Sequence, residues 1–548
     1  MLGKVKGFFL DPRYCLALIV GVAAVVRLWG LGSAEFFHDE GLYAFRSVGY
    51  IDFIENPDQT TPVQWFKDAP LPWWTHLSFH DHPPLFFLAQ HLSFSILGNS
   101  IFAARLPSAL AGIASVAVFY LIFEFIFKKK TAGLLAALLL AVNYLHIWIS
   151  RSSLLESLML LFVFLNFYCF LRALEDAKWW KYAGISLGLA LLAKYTAIFV
   201  VPAYAVYAVA YKRKIFRQPQ LYAGAVLAGL LCVPIFIYNA YLYRATGHFD
   251  LQFAYIFRQA TPEWRASFGK FLDPFSDIYF NLSLMYSAFF LIATGAGIVA
   301  GWQYWRKEKK PLYVFSAALL ASVTLVLYAV GSGYRFLALY LLPAFLFLIA
   351  LREWLMEKYG QHMLVKCAIA LFVAYEAFFA IDGTFFTFPN FGIVQLDAYL
   401  NRLFQGRRSP LTFESPNPHL KAVMEEYGNR RPPAAKPFLV IFDENVAIST
   451  RLWVFARRLY FEGVPVITAG NFKRFLQSQG VETFKGYEIF FVKASPYTSL
   501  NTAFATGDAN ELETFLRQEF DLKPEKVIYG YDQARNPQPM FSIYKITL

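Results

Sequence analysis

An acidic pair, Asp39–Glu40, stands shortly after the first membrane-length apolar run, and His80-Asp81-His82-Pro83-Pro84 follows about forty residues later. Further on come Ser150-Arg151 with Glu156, then Lys194 between two short apolar runs, then Gly331-Ser332-Gly333-Tyr334-Arg335. Carboxylates, imidazoles and cations in this company suit transfer of a group from a departing phosphate to a hydroxyl. A carboxylate takes the hydroxyl proton, while cations offset the charge growing on the phosphate. Arginine is well shaped for that second task, because its fork makes two parallel hydrogen bonds to a phosphate.

The elements that must position these residues are membrane helices. The chain has 548 residues, 57% of them hydrophobic and 19% aromatic, with 16% charged, and a mean hydropathy of +0.42. Such a composition marks a polytopic membrane protein. Apolar runs fall at 14–31, 102–127, 131–149, 154–174, 182–193, 196–211, 221–242, 281–304, 312–331, 336–351 and 364–382. They predict about 11 transmembrane helices, of which 182–193 and 196–211 are short for a bilayer core of about 30 Å.

The net charge of +12 sits in short connections: Lys4/Lys6/Arg13, Lys128–Lys130, Lys178/Lys181, Lys212–Lys214 with Arg217, and Arg306/Lys307/Lys309/Lys310. That pattern follows the positive-inside rule and excludes nucleic acid as the partner. It places the N-terminus in the cytoplasm and the first run as a retained anchor ending at Arg27-Leu28-Trp29. The candidate residues then share the extracytoplasmic face: Asp39, Glu40, Asp81 and His82 in a long first outer loop (33–100), and Arg151, Glu156, Lys194 and Arg335 at outer helix ends. A charge buried in the apolar region costs a few kcal/mol on insertion scales, so such placements tend to be functional. The four cysteines, Cys15, Cys169, Cys232 and Cys367, lie in or at predicted spans without a CxxC pair, which indicates neither a disulfide framework nor a zinc ribbon.

Each candidate also has a plainer reading. Asp39–Glu40 could be a solvated loop pair, Arg151 and Glu156 an ion pair at a helix end, Lys194 a snorkelling lysine, and Arg335 an interface anchor beside Tyr334. His76, His80 and His82 with Asp81 leave a divalent ion open as a cofactor. Shared sidedness is what joins the set.

After Asp382 the composition turns mixed-polar. Strands are expected at 438–442, 464–467, 487–492, 526–529 and 541–546, and helices at 446–460, 471–479 and 509–520. The expected organisation is a transmembrane domain at 1–384, followed by a small soluble α/β domain at 385–548 on the extracytoplasmic side of the plasma (inner) membrane.

Four stretches resemble the C-type (GT-C) integral membrane glycosyltransferases, specifically the group of protein O-mannosyltransferases and aminoarabinose (lipid A) transferases. They are Asp39-Glu40; His82-Pro83-Pro84-Leu85 with Phe102-Ala103-Ala104-Arg105-Leu106-Pro107-Ser108-Ala109-Leu110; Ser150-Arg151-Ser152-Ser153-Leu154-Leu155-Glu156; and Tyr334-Arg335-Phe336 with Leu342-Pro343. The resemblance implies a mainly α, GT-C-like fold and inverting sugar transfer from a polyprenyl-phosphate donor to a hydroxyl acceptor (lipid, glycan or protein). It makes Asp39 the catalytic base with Glu40 assisting, and Arg151 a donor-phosphate contact with His82 shaping the donor site. Lys194 and Arg335 join the phosphate contacts from sidedness, with Glu156 and Asp81 supporting. The chain departs from the aminoarabinose enzymes at His82, where they carry lysine before Pro-Pro, and from many protein mannosyltransferases at Glu156, where they have Asp. Two other classes remain in competition: a transporter or flippase of lipid-linked sugars, which predicts charges at mid-membrane and repeated halves, and a non-catalytic envelope assembly protein, in which Asp39 is replaceable.

Overall fold

A computed structural model describes residues 11–36, 39–56, 59–264, 274–305, 310–331, 333–360, 362–387, 389–411, 415–498, 500, 505–520, 522–532 and 534–547. The basic residues Lys4, Lys6, Arg306, Lys307 and Lys309, together with Ser332, lie outside them. The chain divides into two compact units. A helical unit comprises Met1–Leu31, Leu77–Ala89 and Arg105–Phe386, and a mixed unit comprises Gly32–His76, Gln90–Ala104 and Thr387–Leu548.

In the helical unit the first helix, Pro12–Leu28, starts where the Asp11 side chain accepts from the Arg13 amide and Pro12 supplies a pre-set φ. Six described helices are long and apolar enough to cross a membrane, or seven if one bent pair is a single span. The sequence expectation is about 11; the expected runs 196–211 and 281–304 correspond to the shorter apolar helices Tyr195–Tyr211 and Ala288–Gln303, while a third, Leu85–Leu97, falls within the stretch expected as an outer loop. The chain is thus a mainly helical, multi-pass membrane protein carrying a small sheet.

Two breaks shape the helical unit. The expected run 131–149 is two helices, Lys130–Ala141 and Tyr144–Arg151, bent by 57°. The Asn143 side chain causes the restart by accepting from the His146 amide at 3.0 Å. The second break is at Lys194, extended between Trp180–Ala193 and the 3-10 turn Tyr195–Phe199 that leads into Val200–Tyr211. The helices Trp180–Ala193 and Pro219–Thr246 meet backbone to backbone, since a Cβ on Gly184 would lie 1.9 Å from the Gly224 carbonyl oxygen.

The mixed unit has a five-stranded sheet in the order β2-β1-β3-β5-β4, with β1 Phe438–Phe442, β2 Val466–Thr468, β3 Glu488–Ala494, β4 Pro524–Tyr531 and β5 Pro537–Thr547. β1 runs parallel to β2 and β3, whereas β5 pairs antiparallel with β3 and β4. All five strands fall where alternating and continuous apolar runs had placed them. Much of the stretch expected as an outer loop belongs to this unit and is partly helical: Asp39–Gly49 is a helix. Phe36, Phe45, Val48 and Phe94 share one apolar core with Val440, Trp453, Phe461 and Phe490. Burial of these large side chains, at about 1.5–3 kcal/mol each, is what draws the segment into the unit.

Candidate functional site

The candidate residues divide between the units. In the helical unit Glu156, Lys194 and Arg335 come together from three element ends. Glu156 is in the first turn of the Leu155–Ala173 helix, where a carboxylate complements the helix dipole. Lys194 is the residue at the break, and Arg335 lies in the 3-10 turn Tyr334–Tyr340. Lys194 Nζ donates to Glu156 Oε1, and Arg335 Nε lies 3.3 Å from the same oxygen. The Phe336 ring backs both cations, 4.3 Å from Lys194 Nζ and 5.0 Å from Arg335 Cζ. Glu156 is 1% exposed, and its other oxygen, Oε2, is buried with no hydrogen-bond donor. Two cations thus converge on one carboxylate oxygen at the ends of three elements, a grouping of cations that suits an anionic ligand. The Arg151–Glu156 ion pair weighed from sequence does not form, because Glu156 is taken by residues 38 and 179 positions further on.

Arg151 is placed differently from expectation. Its Nη1 donates to the carbonyls of Val26 (2.7 Å), Trp29 (2.7 Å) and Arg27 (3.3 Å), and its Nη2 donates to Gly30 (3.4 Å). The Phe385 ring lies 4.8 Å from its Cζ. These four carbonyls end the first helix, so the guanidinium works as a cap there and most of its donors are already committed. Arg27, from the same helix, donates to Ala141 and Leu140 and approaches His146 Nδ1 at 2.7 Å.

His80, Asp81 and His82 form a turn closed by Phe79 N–H donating to the His82 carbonyl at 3.1 Å. Asp81 Oδ2 lies 2.9 Å from His82 Nδ1, off the line of a hydrogen bond, and Oδ1 lies 3.8 Å from His80 Nδ1. Among the described residues no group of three or more His, Cys, Asp or Glu side chains is gathered as a metal ion would require. Beside this turn is a residue that sequence reasoning missed. Asp250 is fully buried, accepts from Tyr195 (2.9 Å), Asn239 (3.0 Å) and the Phe253 amide (2.9 Å), and is followed by Leu251, whose amide donates to His80. Desolvation pushes its carboxyl up to about 6 despite these hydrogen bonds. No local signal in the sequence marks it, because its partners come from three separate elements.

In the mixed unit Asp39 and Glu40 open the Asp39–Gly49 helix; Asp39 is half-buried and Glu40 is buried. The helix is held from several sides. Arg46 Nη2 pairs with Asp52 at 2.6 Å, and Ser47 Oγ donates to the Tyr43 carbonyl and to Gln90, both at 2.8 Å. Gly41 lies so close to Ser449 that a Cβ would be 2.6 Å from its carbonyl oxygen. The approach is fixed by Glu35, also missed from sequence: Oε2 accepts from the amides of Phe391 (2.7 Å) and Gly392 (3.1 Å). The terminal segment therefore holds the acidic pair in place.

Residues 81–238 match the family described as Dolichyl-phosphate-mannose-protein mannosyltransferase, a stretch that contains His82, Arg151, Glu156 and Lys194. Two Bacillus subtilis (strain 168) proteins named as mannosyltransferases are similar over short stretches. YycA is 30% identical over 130 residues and YkcB 28% over 127, in each case 23% of this chain. The chain spans only 19% and 18% of those relatives' lengths. Among solved structures, ArnT from Cupriavidus metallidurans bound to undecaprenyl phosphate superposes with a TM-score of 0.52 at 12% identity, covering 96% of this chain and 97% of that one. The archaeal oligosaccharyltransferase AglB from Archaeoglobus fulgidus, in complex with an inhibitory peptide and a dolichol-phosphate, gives 0.51 at 12% identity over 89% of this chain and 70% of that one. A fold shared along nearly the whole chain with ArnT, together with the matched family segment, identifies this protein as having the GT-C glycosyltransferase fold.

Proposed function

We propose that the protein is a membrane glycosyltransferase that moves a sugar from a polyprenyl-phosphate donor to a hydroxyl acceptor, with inversion at the sugar carbon. The observation that carries this reading is the Glu156–Lys194–Arg335 cluster, in which two cations converge on one buried carboxylate. It is supported by the GT-C fold and by the undecaprenyl phosphate bound to ArnT and the dolichol-phosphate bound to AglB. In the proposed step the acceptor oxygen attacks the anomeric carbon as the bond from that carbon to the phosphate oxygen breaks. The acceptor proton passes to the Asp39 carboxylate, and the electron pair of the broken bond goes to the phosphate. Lys194 and Arg335 offset the charge that develops there, and Glu156 keeps the two cations side by side. Arg151 caps the carbonyls of Val26, Arg27, Trp29 and Gly30 and so fixes the end of the first helix. Glu40 and His82 support the two ends of the step, and no step is assigned to a metal.

The proposal places the active site and the terminal domain on the extracytoplasmic side of the plasma membrane. A reporter fused after Lys214 is then expected to be active only in the cytoplasm, and activity outside would reverse the assignment. The chemistry is tested by transfer of radiolabelled sugar from a panel of polyprenyl-phosphate sugars in membranes containing wild type or Asp39→Asn. Label reaching a lipid, glycan or protein fraction with wild type, and at least ~100-fold less with Asp39→Asn, supports the reading. Equal label with both proteins removes Asp39 as the base. A transporter would move donor across vesicles without transferring sugar.

A further inference from the structure

The end of the helical unit opposite Glu156 carries a second feature that the transfer reaction does not use. A cavity of about 250 Å³, almost wholly apolar, opens between the helices Leu155–Ala173, Trp180–Ala193, Val200–Tyr211 and Pro219–Thr246. Phe170, Trp180 and Tyr204 wall it, and small residues such as Ala205 and Ala225 leave the space open. Phe170 lies fourteen residues along the helix from Glu156, about 21 Å at the helical rise, so this is a separate site. Its polar wall is already satisfied: Tyr204 donates to Asn166 Oδ1 at 2.7 Å, and Asn166 Nδ2 donates to the Ala183 carbonyl at 2.7 Å.

The rim identifies the occupant. Ile215 and Phe216 close one side of the cavity, and they are flanked by Lys212, Arg213, Lys214 and Arg217, all exposed. From residue 177 to 249 the chain contains eight Lys and Arg and no Asp or Glu. Among the described residues none of the four rim cations is in an ion pair; Arg213 Nε donates to the Val209 carbonyl at 2.6 Å. Trp180, whose Nε1 donates to Gln218 at 2.7 Å, stands at the same level, as an aromatic residue does at a membrane boundary. An apolar slot opening beside four cations without carboxylate partners has the chemistry of one acyl chain below one anionic headgroup.

We infer that this cavity and the Lys212–Arg217 rim form a binding site for an anionic glycerophospholipid, with an acyl chain between the helices and the headgroup phosphate on the rim cations. The site neither depends on nor alters the donor site at the other end of the unit. The test is native mass spectrometry of the detergent-purified full chain titrated with dioleoyl phosphatidylglycerol, dioleoyl phosphatidylcholine and a polyprenyl phosphate. One phosphatidylglycerol is expected to bind at least about ten-fold more tightly than phosphatidylcholine. That preference is expected to vanish in the quadruple variant K212Q/R213Q/K214Q/R217Q, and phosphatidylglycerol binding to weaken in A205F/A225F, which fills the cavity and keeps the charges. Polyprenyl phosphate binding should be unchanged in both variants, which separates this inference from the proposed enzyme activity. Equal affinity for the two phospholipids, a preference that survives the loss of the four cations, or binding indifferent to filling the cavity would each overturn it.

Discussion

The two units treat buried charge in opposite ways. In the mixed unit Arg457 is 1% exposed and nearly saturated: Nε donates to the Trp453 carbonyl (2.9 Å), Nη1 to Glu462 (2.8 Å) and Asn99 (3.1 Å), and Nη2 to Asp397 (2.7 Å). Arg458 joins Asp397 at 2.8 Å and Arg431 joins Glu462 at 3.2 Å. The two arginines hold Asp397 below the usual carboxylate range although burial alone would raise it. In the helical unit Glu156 presents one oxygen to two cations and leaves the other without a donor. A network of two carboxylates and three arginines, in which Arg458 Nε alone among the buried described donors lacks an acceptor, fixes a fold, and a buried carboxylate with one oxygen lacking a donor is arranged for a charge that comes and goes. That contrast is why the second cluster is read as a site and the first as a staple.

The sharpest way to break the contrast is Asp397→Asn. It leaves Arg457 and Arg458 buried against a neutral amide, and is expected to lower unfolding stability by about 3–5 kcal/mol. Thermal unfolding in detergent checks this, while the surviving folded protein should transfer sugar at the wild-type rate. A smaller effect, on the helical side, comes from Asp250. Its carboxyl is raised from 3.8 to about 6, so between those values the folded chain keeps a proton that the unfolded chain has released. Its stabilising contribution is therefore full below the unfolded value and is lost as pH rises to about 6, a change of roughly 3 kcal/mol. Melting temperatures across pH 4–7 should show a descending step in wild type that is missing in Asp250→Asn, and the same step in both would assign it elsewhere. Smallest in free energy, but largest in meaning for function, is Lys194→Met. Loss of a charge-assisted phosphate contact is expected to cost about 1.5–3 kcal/mol, or roughly ten- to hundred-fold in transfer rate. Its effect on melting should be below that of Asp397→Asn. A melting loss as large as that of Asp397→Asn, with transfer intact, would make the cluster a staple as well.

Much of this was legible in sequence because it is periodic or punctuated. The five strands of the terminal sheet announce themselves as runs such as Phe438–Phe442, whereas the bend inside the run 131–149 did not, because Asn143 is one polar residue in a largely apolar stretch. Sidedness placed Glu156, Lys194 and Arg335 on the same face as Asp39, Glu40, Asp81, His82 and Arg151, and did not single out the three. What could not be read was partnership across long separations. Arg151 carries the look of a phosphate ligand, yet it donates to carbonyls more than a hundred residues earlier. Carbonyl groups are present at every position and leave no trace in side-chain pattern. Glu35 and Asp250 were invisible for the same reason, their partners being backbone amides and side chains from distant elements. The stretch around Asp39 read as a loop because its apolar residues, Phe36, Phe45 and Val48, are too few for a span; their core lies in the terminal segment.

The central claim is a division of labour, with phosphate held by the Glu156–Lys194–Arg335 cluster and the proton taken by Asp39. Equilibrium binding of a polyprenyl phosphate to purified wild type, Asp39→Asn and Lys194→Met, each verified by its melting curve, tests it most directly. Affinity close to wild type in Asp39→Asn and roughly ten- to hundred-fold weaker in Lys194→Met is the predicted result. Undiminished binding in Lys194→Met, or its loss in Asp39→Asn, would contradict the assignment.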